Sequence, residues 1–360
     1  MPDFSQGDAP NPDRPHRRRP RYRGTHPRHF DERYKEHQAE TYPEIVDAVR
    51  ARGATLAGTH VPVLLAEVMA ALAPAEGDRI ADATLGYGGH AAEFLKHIGP
   101  TGWLFGFDVD AAQLGRTQQR LAASFANISV HRSHFAGIGK ILAANSLDGY
   151  DIVLADLGVS SMQVDDPTRG FSYKHDGLLD MRMDMRRSRT AADWLALLSA
   201  EELAKALAEL ADEPDHARIA EAIVARRDRR PIRRTSELVE LIFRAKGLTR
   251  RMWREQTGRD PHALHPAAKT FQVLRILVND ELESLKGLLR IAPTCLRAGG
   301  RIGIISFHSG EDRLVERAFR DGVEQGLYAA CSDEPITPGP RERFDNPRSR
   351  SARFRWARRS

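Results

Sequence analysis

The residues best suited to chemistry lie in three places along the 360-residue chain. Gly86-Tyr87-Gly88-Gly89-His90 is a glycine loop, followed at once by a helical pattern over Ala91–Ile98. Glycines let a backbone approach a ligand closely, and the helix N-terminus behind them offers unpaired N–H groups. Asp108 follows Gly88 by 20 residues, the usual spacing for an acid that holds ribose hydroxyls. Asp156 ends a later apolar run and is predicted to face the same crevice. Together these predict a nucleoside-bearing cofactor. Gly86-x-Gly88-x-x-Ala91 also satisfies the dinucleotide fingerprint, so the spacing fits NAD and S-adenosylmethionine equally and leaves a dehydrogenase open. His131-x-x-His134 and His262-x-x-His265 have metal-like spacing but no accompanying cysteine or acid set, and no metal is expected.

These groups converge only if the elements carrying them share one sheet. Ile80–Thr84, Trp103–Phe107, Ile128–His131 and Tyr150–Ala155 read as short buried strands, with helices over 91–98 and 111–124 between them. Solid apolar strands alternating with helices predict an α/β fold with a doubly wound, mostly parallel, Rossmann-like sheet. Ligands of such sheets bind at the carboxyl ends of the strands, near the point where strand order reverses.

After Asp156 the repeat is interrupted. Residues 165–262 read as an all-helical insert with helices over 191–198, 200–212, 216–226 and 236–246. Leu203, Leu207 and Leu210 form a core stripe, and Ser199 with Glu202 completes a capping box. Leu264–Arg290 reads as one long amphipathic helix. Arg301–Ile305 is a further strand ending in Ser306-Phe307-His308-Ser309. Ser349–Ala357 suits a final antiparallel strand, with Phe354 and Trp356 facing the core and Arg353 and Arg355 facing out. The α/β domain is thus expected over 59–164 and 263–360.

Charge is unevenly spread. Of the net +5, residues 1–30 contribute +4 and 346–360 contribute +6, so 31–345 carry −5. Arg226–Arg234 holds six Arg and one Asp, and Arg250-Arg251-Met252-Trp253-Arg254 sets a Trp among three Arg. Arginine contacts phosphates bidentately and stacks on bases, so a nucleic-acid partner is the better joint reading. Residues 1–58 are basic and Pro/Arg-rich, with too few aliphatic side chains to order themselves, apart from a short helix over 44–52. The opening Met1-Pro2-Asp3-Phe4 lacks the apolar stretch of a secretory signal, and no run reaches the roughly 20 apolar residues of a membrane span. Two cysteines, Cys295 and Cys331, support no disulfide framework. A cytoplasmic protein is expected, and a homodimer is compatible with the sequence.

Eight ordered segments resemble one family. They are His60–Leu65 (HVPVLL), Thr84–His90 (TLGYGGH), Asp156–Ser161 (DLGVSS), Arg169–Ser172 (RGFS), Leu179–Asp184 (LDMRMD), Phe271–Ile276 (FQVLRI), Ser306–Ser309 (SFHS) and Asn346–Ser351 (NPRSRS). From His60 nearly to the C-terminus the chain resembles the small-subunit ribosomal RNA methyltransferase H family, also called MraW. The resemblance implies S-adenosyl-L-methionine-dependent methylation of the exocyclic N4 of a decoding-centre cytidine in 16S rRNA. It implies cofactor contacts at Gly88, Gly89, His90, Asp108, Phe135, Asp156 and Gln163, and an insert associated with RNA recognition. Met162 stands where the family usually has Pro, Lys269 where Arg is common and Gly310 where Leu is common.

Cytosine N4 is a poor nucleophile because its lone pair is delocalised into the ring. An acceptor for one N–H, and alignment with the methyl group, would help it. The Pro-Pro-aromatic loop of DNA amino-methyltransferases is replaced here by Leu157-Gly158-Val159-Ser160-Ser161. Asp156 is therefore the first catalytic candidate and His308 the second. A non-catalytic RNA-binding assembly factor, and a methyltransferase acting on another nucleic acid, are the rival readings.

Overall fold

The computed structural model describes residues 62–260 and 263–360; the expectations for 1–58, and His262, lie outside them. In chain order the elements are α1 (Leu65–Leu72), β1 (Arg79–Asp82), α2 (Gly89–Ile98), β2 (Trp103–Asp108), α3 (Ala111–Ala122), β3 (Ile128–Arg132), α4 (Ile138–Ala144) and β4 (Tyr150–Asp156). They continue as α5 (Ser161–Asp165), α6 (Ala191–Leu197), α7 (Ala200–Ala211), α8 (His216–Arg227), α9 (Thr235–Ala245), α10 (Arg250–Arg259), α11 (Ala268–Asn279) and α12 (Glu281–Cys295). Last come β5 (Leu296–Ser306), α13 (Ser309–Glu324), β6 (Tyr328–Cys331), α14 (Pro340–Asp345) and β7 (Arg353–Arg359).

The strands form one seven-stranded sheet in the order β3-β2-β1-β4-β5-β7-β6. β1 to β5 pair in parallel, and β7 runs antiparallel to both β5 and β6. Apolar strand runs require cover on both faces, and they have it. Phe105, Phe107, Val153, Ala155, Ile302 and Ile304 face a cluster with residues of α4, α12 and α13. Their alternates Leu104, Ile152, Leu154 and Ile305 face α1, α2 and α3. Chain order reverses between β1 and β4, so the crevice lies where Asp82, Asp108 and Asp156 end their strands.

Helices α6 to α10 share a separate apolar cluster, which runs from Phe171 to Val278 and so takes in α11. Leu203 and Leu207 are fully buried in it with Leu210 against its edge, and Ser199 and Glu202 exchange the two capping-box hydrogen bonds at 3.1 and 2.8 Å. Two expectations need correction. The helix predicted over 264–290 is two helices, because Asp280 adopts a left-handed conformation (φ 55°) between α11 and α12. The final strand begins at Arg353, since 347–351 form a 3-10 turn, and Arg355 does not face solvent. It is 4% exposed, with its guanidinium on Asp312 and Glu316 of α13. Among the described residues no helix is long and apolar enough to cross a membrane.

Candidate active site

Strands β1, β2, β4 and β5 end around a cavity of about 270 Å³. All seven residues expected at a cofactor, Gly88, Gly89, His90, Asp108, Phe135, Asp156 and Gln163, line it. Gly88 precedes α2 in a left-handed conformation (φ 66°), and a Cβ there would lie 2.8 Å from Leu121. Glycine is thus required by the turn and by the packing of α3 behind it. No side chain caps α2, and its first turn holds no acid, so its N-terminal amides are left to the cavity. Such a terminus suits a carboxylate.

Asp108 accepts hydrogen bonds from the amides of Gly86 and Asp110, both at 2.9 Å. Burial nevertheless pushes its carboxyl above the ordinary range, against the pull of those amides. Each carboxylate oxygen has two lone pairs, so both can still accept from a diol. Phe135 opens a short 3-10 turn after β3, with the His134 ring 4.0 Å away, and lines the cavity. Gln163 is engaged at both ends: its Oε1 accepts from the Ser160 amide at 2.9 Å and its Nε2 donates to Asp110 at 3.2 Å. Arg169 donates to the same Asp110 oxygen at 2.9 Å and to the carbonyls of Arg182 and Met183. Asp110 therefore ties β2 to the loop that walls the cavity. Asn279 secures that loop further, accepting from Met183 N and donating to Met181 O, both at 2.8 Å.

Asp156 ends β4 at the cavity. Its amide donates to the Thr84 hydroxyl, its Oδ2 lies 3.9 Å from His90 Nδ1, and its Oδ1 is buried without a partner. Although 28% of the side chain opens to the cavity, bulk water is far enough away that burial, with Asp82 and Glu311, pushes the carboxyl up to about 8. His90 is held neutral for the same reason, its value pushed down to about 4 by burial. Its Nε2 donates to Val63 O at 3.0 Å, which leaves Nδ1 as an acceptor toward Asp156.

His308 is placed differently from Asp156. It precedes α13, its Nδ1 accepts from the Glu311 amide at 3.3 Å, and its Nε2 lies 3.2 Å from Glu311 Oε1. It is Glu311, with Phe307, that lines the cavity. Burial pushes Glu311 up, but His308 and Arg275 outweigh it and hold the carboxylate ionised. Among the described residues, Glu281, His308 and Glu311 bring metal-type donor atoms within 4.8 Å of one another. Arg275 already lies 2.9 Å from Glu281 and balances its charge, so the arrangement is built as a buried ion-pair network.

Sequence reasoning missed Glu281, Asn279, Met183, Asn346 and Arg348 as cavity residues. Asn346 and Arg348 lay within a quoted motif, and only the fold brings that segment, some 190 residues after Asp156, to the same crevice. Met162 is 6% exposed and lines the cavity, and Lys269 donates to the Asp212 carbonyl at the end of α7. The aromatic partner expected at Trp253 is used internally: its ring packs edge-on to His265, which stacks on Tyr173.

Comparison with known proteins gives the same direction. The chain is 41% identical to a ribosomal RNA small subunit methyltransferase H of Lachnoclostridium phytofermentans, over 95% of this chain and 93% of the relative. A second, from Alkaliphilus metalliredigens, is 40% identical over 94% and 97%. An rRNA methylase structure from Streptococcus thermophilus covers 82% of this chain and 92% of its own at 13% identity. Its TM-score is 0.35. A family model described as the MraW methylase family matches residues 57–360, and the chain belongs to that family.

Proposed function

We propose that the chain transfers the methyl group of S-adenosyl-L-methionine to N4 of a cytidine in the decoding centre of 16S rRNA, acting on the small ribosomal subunit in the cytoplasm. The observation that carries the reading is the single cavity that joins the uncapped α2 terminus, Asp108 and Phe135 to the orphaned Oδ1 of Asp156. The residues fit the donor. The α2 amides would hold its carboxylate, Asp108 its ribose hydroxyls and Phe135 its adenine. When bound, the donor supplies a methyl group on a positively charged sulfur.

The chain's own part is to bring an unstacked base against that methyl group and to accept an N–H from it. A protonated Asp156, whose Oδ2 lies 3.9 Å from His90 Nδ1, leaves the unpartnered Oδ1 to accept from the amine. Gln163 and Arg169 act through Asp110, positioning the wall of the cavity. His308 is a positioning residue that holds Glu311. The insert, residues 165–262, would contact the surrounding RNA.

Labelled S-adenosylmethionine and isolated small subunits, followed by nucleoside analysis, test this directly. N4-methylcytidine formed only with active protein is the expected result. Donor binding without label in RNA would favour an assembly factor or another substrate, and absence of donor binding would remove the basis of the reading.

A further inference from the structure

Asn346 and Arg348 form the wall of the cavity contributed by the turn between α14 and β7. Asn346 is 9% exposed, and its Oδ1 is buried without a hydrogen-bond partner. Arg348 gives Nη2 to Asp165 Oδ1 at 2.6 Å, while its Nη1 is likewise buried and unpartnered. Buried polar atoms are nearly always paired, so an orphaned acceptor and an orphaned donor two residues apart in one cavity call for a ligand.

The turn that carries them is rigid. The Asn346 amide donates to Glu342 O at 2.7 Å, and its carbonyl accepts from both the amide and the hydroxyl of Ser349 at 2.9 Å. Ser349 is fully buried, and Glu342 accepts from the Leu64 amide at 2.9 Å, which ties the segment to the start of α1. The Asp165 ion pair holds the Arg348 guanidinium in place, and the backbone frame fixes where the Asn346 amide is presented.

We propose that Asn346 and Arg348 read the Watson–Crick edge of the target cytosine, the amide oxygen accepting from N4–H and Nη1 donating to N3 and O2. Cytosine presents a donor at N4 and acceptors at N3 and O2; uracil presents an acceptor at position 4 and a donor at N3. An asparagine amide can rotate to suit either pattern. A guanidinium only donates, so discrimination falls on Arg348, whose orientation Asp165 fixes. With Asp156 taking the second hydrogen, both N–H bonds of the amine would be held and the lone pair left facing the methyl group.

This inference rests on the proposed cytidine substrate, and the test separates the two. Full-length wild type, Arg348→Met, Arg348→Lys, Asn346→Ala and Asn346→Asp are compared. The readouts are donor affinity, thermal midpoint, kcat and KM for methyl transfer, and competition by small subunits reconstituted with uridine at the target position. Wild type is expected to prefer the cytidine subunit by about 100-fold or more, and Arg348→Met to bring that preference within about 10-fold with donor affinity unchanged. Asn346→Ala should lower kcat/KM about 100-fold, and Asn346→Asp, which keeps an acceptor, should recover part of it. If Arg348→Met does not fold, Arg348→Lys, a donor without the fork, carries the same comparison. Equal weakening toward cytidine and uridine subunits would reassign Arg348 to a phosphate and overturn the proposal, as would unchanged preference. Absence of cytidine methylation by wild type would instead overturn the functional reading.

Discussion

In the proposed reaction Asp156 concentrates the chemistry of the site in one side chain. Asp156→Ala removes the acceptor oxygen that the amine would use. Methyl transfer by this variant is expected to fall by about 10²-fold or more while donor binding persists. Full turnover with normal donor affinity, measured by single-turnover labelling and calorimetry, would end the catalytic assignment. The same carboxyl shapes the pH response. Burial and the neighbouring Asp82 and Glu311 raise it to about 8, and Asp82 is raised to about 7 by burial. The folded state therefore binds these protons more tightly than the unfolded chain, and stability is lost as pH rises from about 4 through 8. Urea midpoints at pH 5 and 8 should drop more for ligand-free wild type than for Asp156→Asn. Asp156 was legible in the sequence because it ends an apolar strand. Its protonation was not, since that depends on Asp82 and Glu311, which fall 74 residues before and 155 after it in the chain.

At the scale of elements, period-two reading failed where two charges neutralise each other. Arg355 alternates with Phe354 and Trp356, and the pattern sends it outward, yet it lies against Asp312 with both side chains 5% exposed. A guanidinium can be buried there only because α13 presents Asp312 and Glu316 to β7. Asp312→Ala should accordingly lower stability by about 3 kcal/mol in equilibrium denaturation, because it strands a buried cation. Replacing Asp312 and Arg355 together by Leu and Met should be far milder. The break at Asp280 was hidden for a related reason. Apolar spacing continues through it, and nothing in that periodicity marks a residue with φ of 55°. By contrast the capping box at Ser199 and the strands ending in Asp108 and Asp156 were readable, because local hydrogen bonding and apolar run length determine them.

For the whole molecule, formal charge overstates what is free to meet RNA. Arg348, Arg353 and Arg355 of the +6 C-terminal stretch are paired with Asp165 and Asp312. In the insert, Arg234 is paired with Asp176, Arg250 with Glu240 and Arg251 with Glu255. Exposed pairs of this kind contribute little to stability and can exchange a carboxylate for a phosphate, so they still offer an interface. The excess charge of the extension lies in residues 1–30, seven Arg against Asp3, Asp8 and Asp13, whereas 31–58 hold six acids against four basic residues. Deleting 1–58 should flatten the dependence of log affinity on log salt for small-subunit RNA, measured by filter binding between 50 and 200 mM salt (on the order of one unit of slope per lost phosphate contact). An unchanged slope would leave that extension without a part in binding.

The position of β7 has a consequence for how the molecule is made. It lies between β5 and β6, although β6 precedes it in the chain. During synthesis β6 has no strand to pair with until residues 353–359 emerge, and the turn bearing Asn346 and Arg348 emerges only just before them. The donor side of the crevice, built from β1, β2 and β4, can be complete well before. A nascent chain would then acquire the means to hold its methyl donor before it acquires the wall that selects a base, and selectivity would be the last property the enzyme gains.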